Sequence, residues 1–183
     1  IHSRTDFDLS QHQKFSGKKL QYFDHESGES YVPFVVETSI GLDRTFLTIL
    51  SACLKEEEVR KDEGESDTRV VLQIPPALAP IKLAVLPLIK KDGLPEKARE
   101  IIDELKFDFT CQYDEKDSIG RRYRRQDAIG TPYCVTIDHQ TLEDNTVTIR
   151  DRDSMEQERV QIKELFEMLD EKVSMKKLLK KIF

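Results

Sequence analysis

The 183 residues are 38% hydrophobic and 35% charged, with a net charge of −6. That is the balance of one or two soluble globular domains. It excludes a generally basic nucleic-acid binder, so any RNA contact must come from a local basic surface. No apolar run approaches a membrane span and no charged–apolar–small-residue leader opens the sequence, so no membrane contact is expected; the few, separated cysteines fit a reducing, cytoplasmic setting. The first residue is Ile1 rather than Met, as expected of a chain processed or cut from something larger. Cys53, Cys111 and Cys134 are odd in number and far apart, which speaks against a disulfide framework or a zinc site. Buried, inert thiols are expected instead. The four histidines show no metal-ligand spacing, and no metal site is expected.

In chain order, Tyr31–Glu37 (YVPFVVE) reads as a strand, apolar on both faces and therefore buried. Gly41 turns the chain into a helix with Asp43 as N-cap and Phe46, Leu47, Ile49, Leu50, Cys53 and Leu54 on its buried face. Lys55–Asp67 carries seven acids and three bases and reads as a solvated helix end running into a linker. The expected division is residues 1–60, an acidic linker 61–69, and a second domain 70–183.

Beyond the linker the periods of two and 3.6 alternate. Strands are expected at Val70–Ile74, Lys82–Leu88, Phe109–Tyr113, Tyr133–Ile137 and Thr146–Arg150, with a turn at Glu143–Asn145 between the last two. Helices are expected near Pro95–Phe107, Ser118–Ile129 (closed by Gly130) and Met155–Leu169. Right-handed crossovers then give an α/β domain with a five-stranded mixed sheet flanked by helices. A break near Val173–Ser174 separates a last short helix. Its stripe of Met175, Leu178, Leu179 and Ile182 is expected to fold onto the domain, with four lysines facing away.

Glu37-Thr38-Ser39-Ile40-Gly41-Leu42-Asp43-Arg44 is the most informative stretch. Glu37 and Ser39 share a strand face and could hold a small ammonium group through charge-assisted hydrogen bonds. Arg44 could stack on a purine or pair with a phosphate. On physics alone, a structural ion pair is the commoner use of such residues.

YVPFVVETSIGLDR resembles the last signature motif of the class II aminoacyl-tRNA synthetases, in its glycyl-specific form. Arg4–Leu9 and SGKKLQYFD are similar to the same enzymes. Leu78–Leu88, Gly93–Ile101, Ser118–Asp138 and Leu142–Val160 resemble their class IIa anticodon-binding domain. The likeness runs to about residue 170. It implies the C-terminal portion of a homodimeric glycyl-tRNA synthetase, a fragment of the antiparallel-sheet catalytic domain followed by the anticodon-binding domain. It implies that Glu37 and Ser39 bind glycine, that Glu37 and Arg44 bind ATP, and that Arg44 is catalytic. ATP and Mg²⁺ are then the cofactors of the full-length enzyme, with tRNA(Gly) and glycine as its other partners. Thr38 stands where the family usually has proline. The first two class II motifs are absent from this sequence, so the chain alone is expected to be inactive. Asp6 and Asp8 are expected to be structural. The competing reading is a non-catalytic nucleic-acid-binding protein derived from such a synthetase, like a polymerase accessory subunit.

Arg121-Arg122-Tyr123-Arg124-Arg125 is the strongest basic feature. Five consecutive helical residues point in all directions, so not all can face one RNA. Arg121, Arg122 and Arg125 are the candidate tRNA contacts, while Arg124 is placed to pair with Asp127. Arg150, Asp151, Arg152 and Asp153 are expected as a surface ion-pair network.

Overall fold

A computed structural model describes residues 1–60 and 66–183. The chain divides into two compact units, Ile1–Phe46 and Leu47–Phe183. In the first, β1 (His2–Thr5) is followed by α1 (Phe7–Ser16) and by a two-residue ladder of β2 (Tyr22–Phe23) with β3 (Ser30–Tyr31). β4 (Val35–Glu37) returns to pair antiparallel with β1. The single buried strand expected over Tyr31–Glu37 is therefore two short ones. Pro33 offers no N–H to a ladder, and Phe34 and Val36 are 69% and 67% exposed.

Helix α2 (Leu42–Cys53) forms where expected but starts at Leu42, which puts Asp43 in its first turn rather than at the cap. None of its residues is buried, against expectation.

In the second unit, β5 (Leu54–Arg60) and β6 (Ser66–Leu72) form an antiparallel hairpin with Glu57 opposite Arg69. This replaces the expected helix end and part of the expected linker; residues 61–65 lie outside the described residues. The pattern hidden by the charges is a strand's. Arg69 and Val71 are buried while Thr68 and Val70 are exposed, a period of two.

The five-stranded mixed sheet is present. Its order is β11-β10-β9-β7-β8, with β7 Leu83–Pro87, β8 Cys111–Tyr113, β9 Tyr133–Ile137, β10 Thr146–Asp151 and β11 Gln157–Gln161. β7 runs parallel to β8 and β9, and β10 runs antiparallel to both β9 and β11. Its membership differs from the expected one. Val70–Ile74 takes no part, and Gln157–Gln161, expected as the start of a helix, is the fifth strand. A single 3-10 turn, Ile162–Glu164, then leads into α6 (Leu165–Val173).

Alternate residues of the sheet face two cores. On one side Leu83, Val85, Val135, Ile137, Val147 and Ile149 meet α3 (Leu94–Leu105) and α6. On the other, Ala84, Leu86 and Cys134 meet Ile119 and Tyr123 of α4 (Ile119–Ile129). Gly130 closes α4 with φ 84°, as expected. The expected turn at Glu143–Asn145 is instead the end of a short helix, α5 (His139–Asp144), fixed by a capping box between Asp138 and Thr141. After the expected break, Ser174 caps α7 (Met175–Ile182) by accepting from the Lys177 N–H. The α7 stripe is only partly covered: Leu178 is 37% and Ile182 64% exposed. Burial pushes the Cys134 thiol up to about 12 and the half-buried Cys111 thiol up to about 11, so both are inert near neutral pH.

Candidate functional site

Strand β7 is followed by α3 and β8 on one side of it, and β8 by α4 and β9 on the other. The chain thus reverses direction across β7, and in open α/β sheets ligands bind beyond the carboxyl ends of the strands at such a point. Three segments leave the sheet at this edge. Residues 88–93 follow β7, residues 114–118 follow β8, and Asp138-His139 follows β9. They carry Lys90, Lys91, Lys116 and His139, with Arg121 in the first turn of α4.

The acids of this edge are already engaged. Asp114 accepts from Arg125 Nη2 at 2.8 Å and Asp117 from Arg125 Nη1 at 2.8 Å. Asp138 takes both Arg159 Nη groups at 2.6 and 2.8 Å. Glu115 accepts from the Tyr113 hydroxyl and lies 4.0 Å from Lys90 Nζ. Asp92 is 3.1 Å from His139 Nε2. Lys91, Lys116 and Arg121 are exposed and form no ion pair among the described residues. An acidic chain thereby presents three uncompensated cations along one edge.

Of the three arginines expected to meet tRNA, Arg121 alone is both exposed and unpaired among the described residues. Arg125 is committed to the 114–118 loop. Arg122 is corrected: it is 2% exposed and donates to the main-chain carbonyls of Pro87, Leu88 and Asp114. Arg124 pairs with Asp67 at 3.1 Å, not with Asp127. Asp127 instead accepts from Arg150 at 2.8 Å and Arg69 at 3.2 Å, and all three are buried. The expected surface network at Arg150–Asp153 is therefore largely internal, since Arg152 is also buried and donates to the Gly130 carbonyl at 2.9 Å.

In the first unit, Glu37 ends β4, Ser39 follows two residues later, and Arg44 stands in the first turn of α2, all three exposed. Arg4 grips Asp8 through two bonds of 2.6 and 2.8 Å and reaches Glu37 at 3.7 Å. Asp8 thus has the structural role expected of it. The hydrogen bonds from Arg4 hold its carboxyl below the usual range, and Arg4 in turn fixes the neighbourhood of Glu37.

The sequence profile described as "Anticodon binding domain" matches residues 82–172. Residues 82–172 belong to the anticodon binding domain family. The chain is 54% identical over 154 residues to a protein named "Glycine--tRNA ligase" from Chlorobaculum tepidum, covering 84% of this chain and 32% of that one. It is 51% identical over 155 residues to a protein of the same name from Treponema denticola, covering 84% and 34%. The resemblance to the glycyl-tRNA synthetases is borne out. The chain spans about one third of the length of these curated relatives. The RNA binding domain of threonyl-tRNA synthetase from Cryptosporidium parvum shares the fold, with a TM-score of 0.51 and 23% identity over 55% of this chain and 26% of that one. No helix among the described residues is long and apolar enough to cross a membrane.

Within the anticodon binding domain, Lys91 and Lys116 were not legible as site residues. Their place follows from the parallel pairing of β7, β8 and β9, which periodicity does not reveal. One pair at this edge has a measurable signature. The hydrogen bonds from Arg159, helped by the Thr141 N–H and hydroxyl, lower the Asp138 carboxyl to about 2. A depressed pKa adds stability that is complete above the unfolded value near 4 and is lost as pH falls towards 2. Asp138→Asn is expected to lower stability by about 2 kcal/mol at pH 7, and this deficit should vanish near pH 2. A deficit in urea unfolding that does not change with pH would show that the pair is not its source.

Proposed function

We propose that this chain is the anticodon-holding part, together with a glycine- and ATP-binding motif, of an enzyme that joins glycine to tRNA(Gly). The observation that carries the reading is the edge where two strand-end loops and the first turn of α4 place Lys91, Lys116 and Arg121 without acidic partners among the described residues. The N-termini of α3 and α4 open at the same edge, neither with a side-chain cap, and uncapped helix N–H groups favour phosphate. The name carried by the relatives, "Glycine--tRNA ligase", supplies the amino acid and the RNA.

Lys116→Ala combined with Arg121→Ala is expected to weaken tRNA(Gly) binding. It should also lower the slope of log K against log salt by about 0.7–0.9 for each phosphate that the variant no longer neutralises. Unchanged affinity and slope, measured at several salt concentrations, would move the RNA elsewhere.

In the whole ligase Glu37 and Ser39 would hold the glycine ammonium, and Arg44, as the catalytic residue, would hold ATP with Mg²⁺. The enzyme would act as a cytoplasmic homodimer. The presence of Glu37, Ser39 and Arg44 favours this over a non-catalytic binding protein, which has no use for an amino-acid pocket. Glu37→Ala is expected to raise the glycine KM by about tenfold or more, the worth of one charge-assisted hydrogen bond. A normal KM would remove Glu37 from the role.

A further inference from the structure

Arg122 is the buried arginine at the RNA-holding edge, out of reach of a bound RNA. It is 2% exposed, and among the described residues no carboxylate oxygen bonds its guanidinium. All its bonds run to main-chain carbonyls: Nη1 to Pro87 at 2.6 Å and Asp114 at 3.3 Å, Nη2 to Leu88 at 3.1 Å. Its Nε has no partner among the described residues. Burial works against its charge and lowers its pKa from the ordinary arginine value. The Asp114 carboxylate supports the charge without a direct bond among the described residues, but burying a cation whose bonds run to neutral carbonyls, with one donor left over, is costly if the purpose is stability alone. What it achieves is particular to the place. Pro87 and Leu88 lie at the exit of β7, and Asp114 at the exit of β8.

A planar fork is suited to bridging two strand exits, because its donors diverge at a fixed angle. Arg125 fastens the 114–118 loop only to α4, through Asp114, Asp117 and the Lys116 carbonyl. The other bridge between the two loops, Lys90 to Glu115 at 4.0 Å, is solvent-exposed on the lysine side and screened by salt.

We propose that Arg122 is a positioning residue for RNA. It ties the loop carrying Lys90 and Lys91 to the loop carrying Lys116 at one spacing, and so sets RNA affinity without contacting RNA. This rests on the reading of the strand-end edge as the RNA-holding surface.

The test compares Arg122→Lys and Arg122→Met with the unaltered chain. The ammonium of Arg122→Lys keeps the charge but cannot span the three carbonyls. Hydrogen exchange is followed in residues 88–93 and 114–118 against β7 and β9, and tRNA(Gly) binding is measured at several salt concentrations. Exchange in both loops is expected to quicken about tenfold while the strands stay protected, the scale of one charge-assisted bond removed. The Kd should rise by a similar factor with the salt slope unchanged, whereas Arg121→Ala should lower the slope. If Arg122→Met fails to fold, Arg122→Lys alone carries the comparison.

Three results would overturn the proposal: loops as protected as in the unaltered chain, loosened loops with an unchanged Kd, or a salt slope reduced by the amount that one phosphate supplies, which would make Arg122 a direct ligand. Absence of binding by the unaltered chain would instead sink the RNA-holding reading, and the exchange rates would still decide whether Arg122 ties the loops.

Discussion

Asp127→Ala is expected to destabilise the second unit by about 3–5 kcal/mol, the usual cost of removing one partner from a buried ion pair. Asp127 has no exposure and receives two bonds from Arg150, at 2.8 and 3.1 Å, and one from Arg69 at 3.2 Å. Arg150 also lies 4.8 Å above the Tyr123 ring, and Arg69 continues to Glu57 at 2.7 Å. Removing the carboxylate leaves two guanidinium groups buried together, with Glu57 of the hairpin the one carboxylate paired with them among the described residues. Arg69 belongs to β6, Asp127 to α4 and Arg150 to β10, so the same loss should free the hairpin from the sheet. Asp127→Asn keeps the volume and should recover little, because the missing quantity is charge. Urea unfolding decides it: if both variants stay within about 1 kcal/mol of the parent, the range of ordinary substitutions, the network does not hold the unit together.

That network also marks where the sequence stopped being readable. Period-two and period-3.6 patterns placed β7, α3, α4, β9 and β10, because each turns apolar residues inward, although α4 also buries Arg122, Gln126 and Asp127, and β10 buries Arg150. The β5–β6 hairpin escaped because its inward residues include Arg69, which reads as a surface residue until Asp127, 58 positions later, is known to face it. β11 escaped for a related reason. Gln157–Gln161 is an edge strand with exposed polar residues, and its only fixed mark is the register that sets Arg150 against Gln157 and Thr146 against Gln161.

The candidate sites divide in the same way. The strand–turn–helix motif around Glu37, Ser39 and Arg44 is local in sequence, so its residue types could be singled out before any fold was known. The edge proposed to hold RNA is assembled from three loops separated by whole elements. Within the arginine-rich helix, composition showed that not all the side chains could face one ligand. It could not show that Arg121 faces outward while Arg122 faces the strand exits. That depends on which side of α4 the Ile119–Tyr123 pair presses onto Ala84 and Leu86.

Gly130→Ala is expected to cost about 2–5 kcal/mol, from two causes that can be measured apart. The first is conformational. Gly130 ends α4 with φ 84°, and a left-handed backbone costs an L-residue roughly 1–2 kcal/mol. The second is steric. A β-carbon there would stand 2.9 Å from Ile74 Cγ2, 3.1 Å from the Leu72 carbonyl oxygen and 3.2 Å from Leu72 Cδ2. The backbone has little freedom to retreat, because the Gly130 carbonyl accepts from buried Arg152 at 2.9 Å and its N–H donates to the Asp127 carbonyl at 3.2 Å. Overpacking of this kind adds about 1–3 kcal/mol. Gly93 supplies the control: its φ is 79° and nothing lies within 4 Å of its would-be β-carbon. Gly93→Ala should therefore show the conformational cost alone. The excess of Gly130→Ala over Gly93→Ala in urea unfolding measures how tightly the end of the hairpin is pressed against the end of α4. Equal costs would mean that this contact yields without penalty, and that the ion pairs rather than apolar packing fasten the hairpin to the anticodon binding domain.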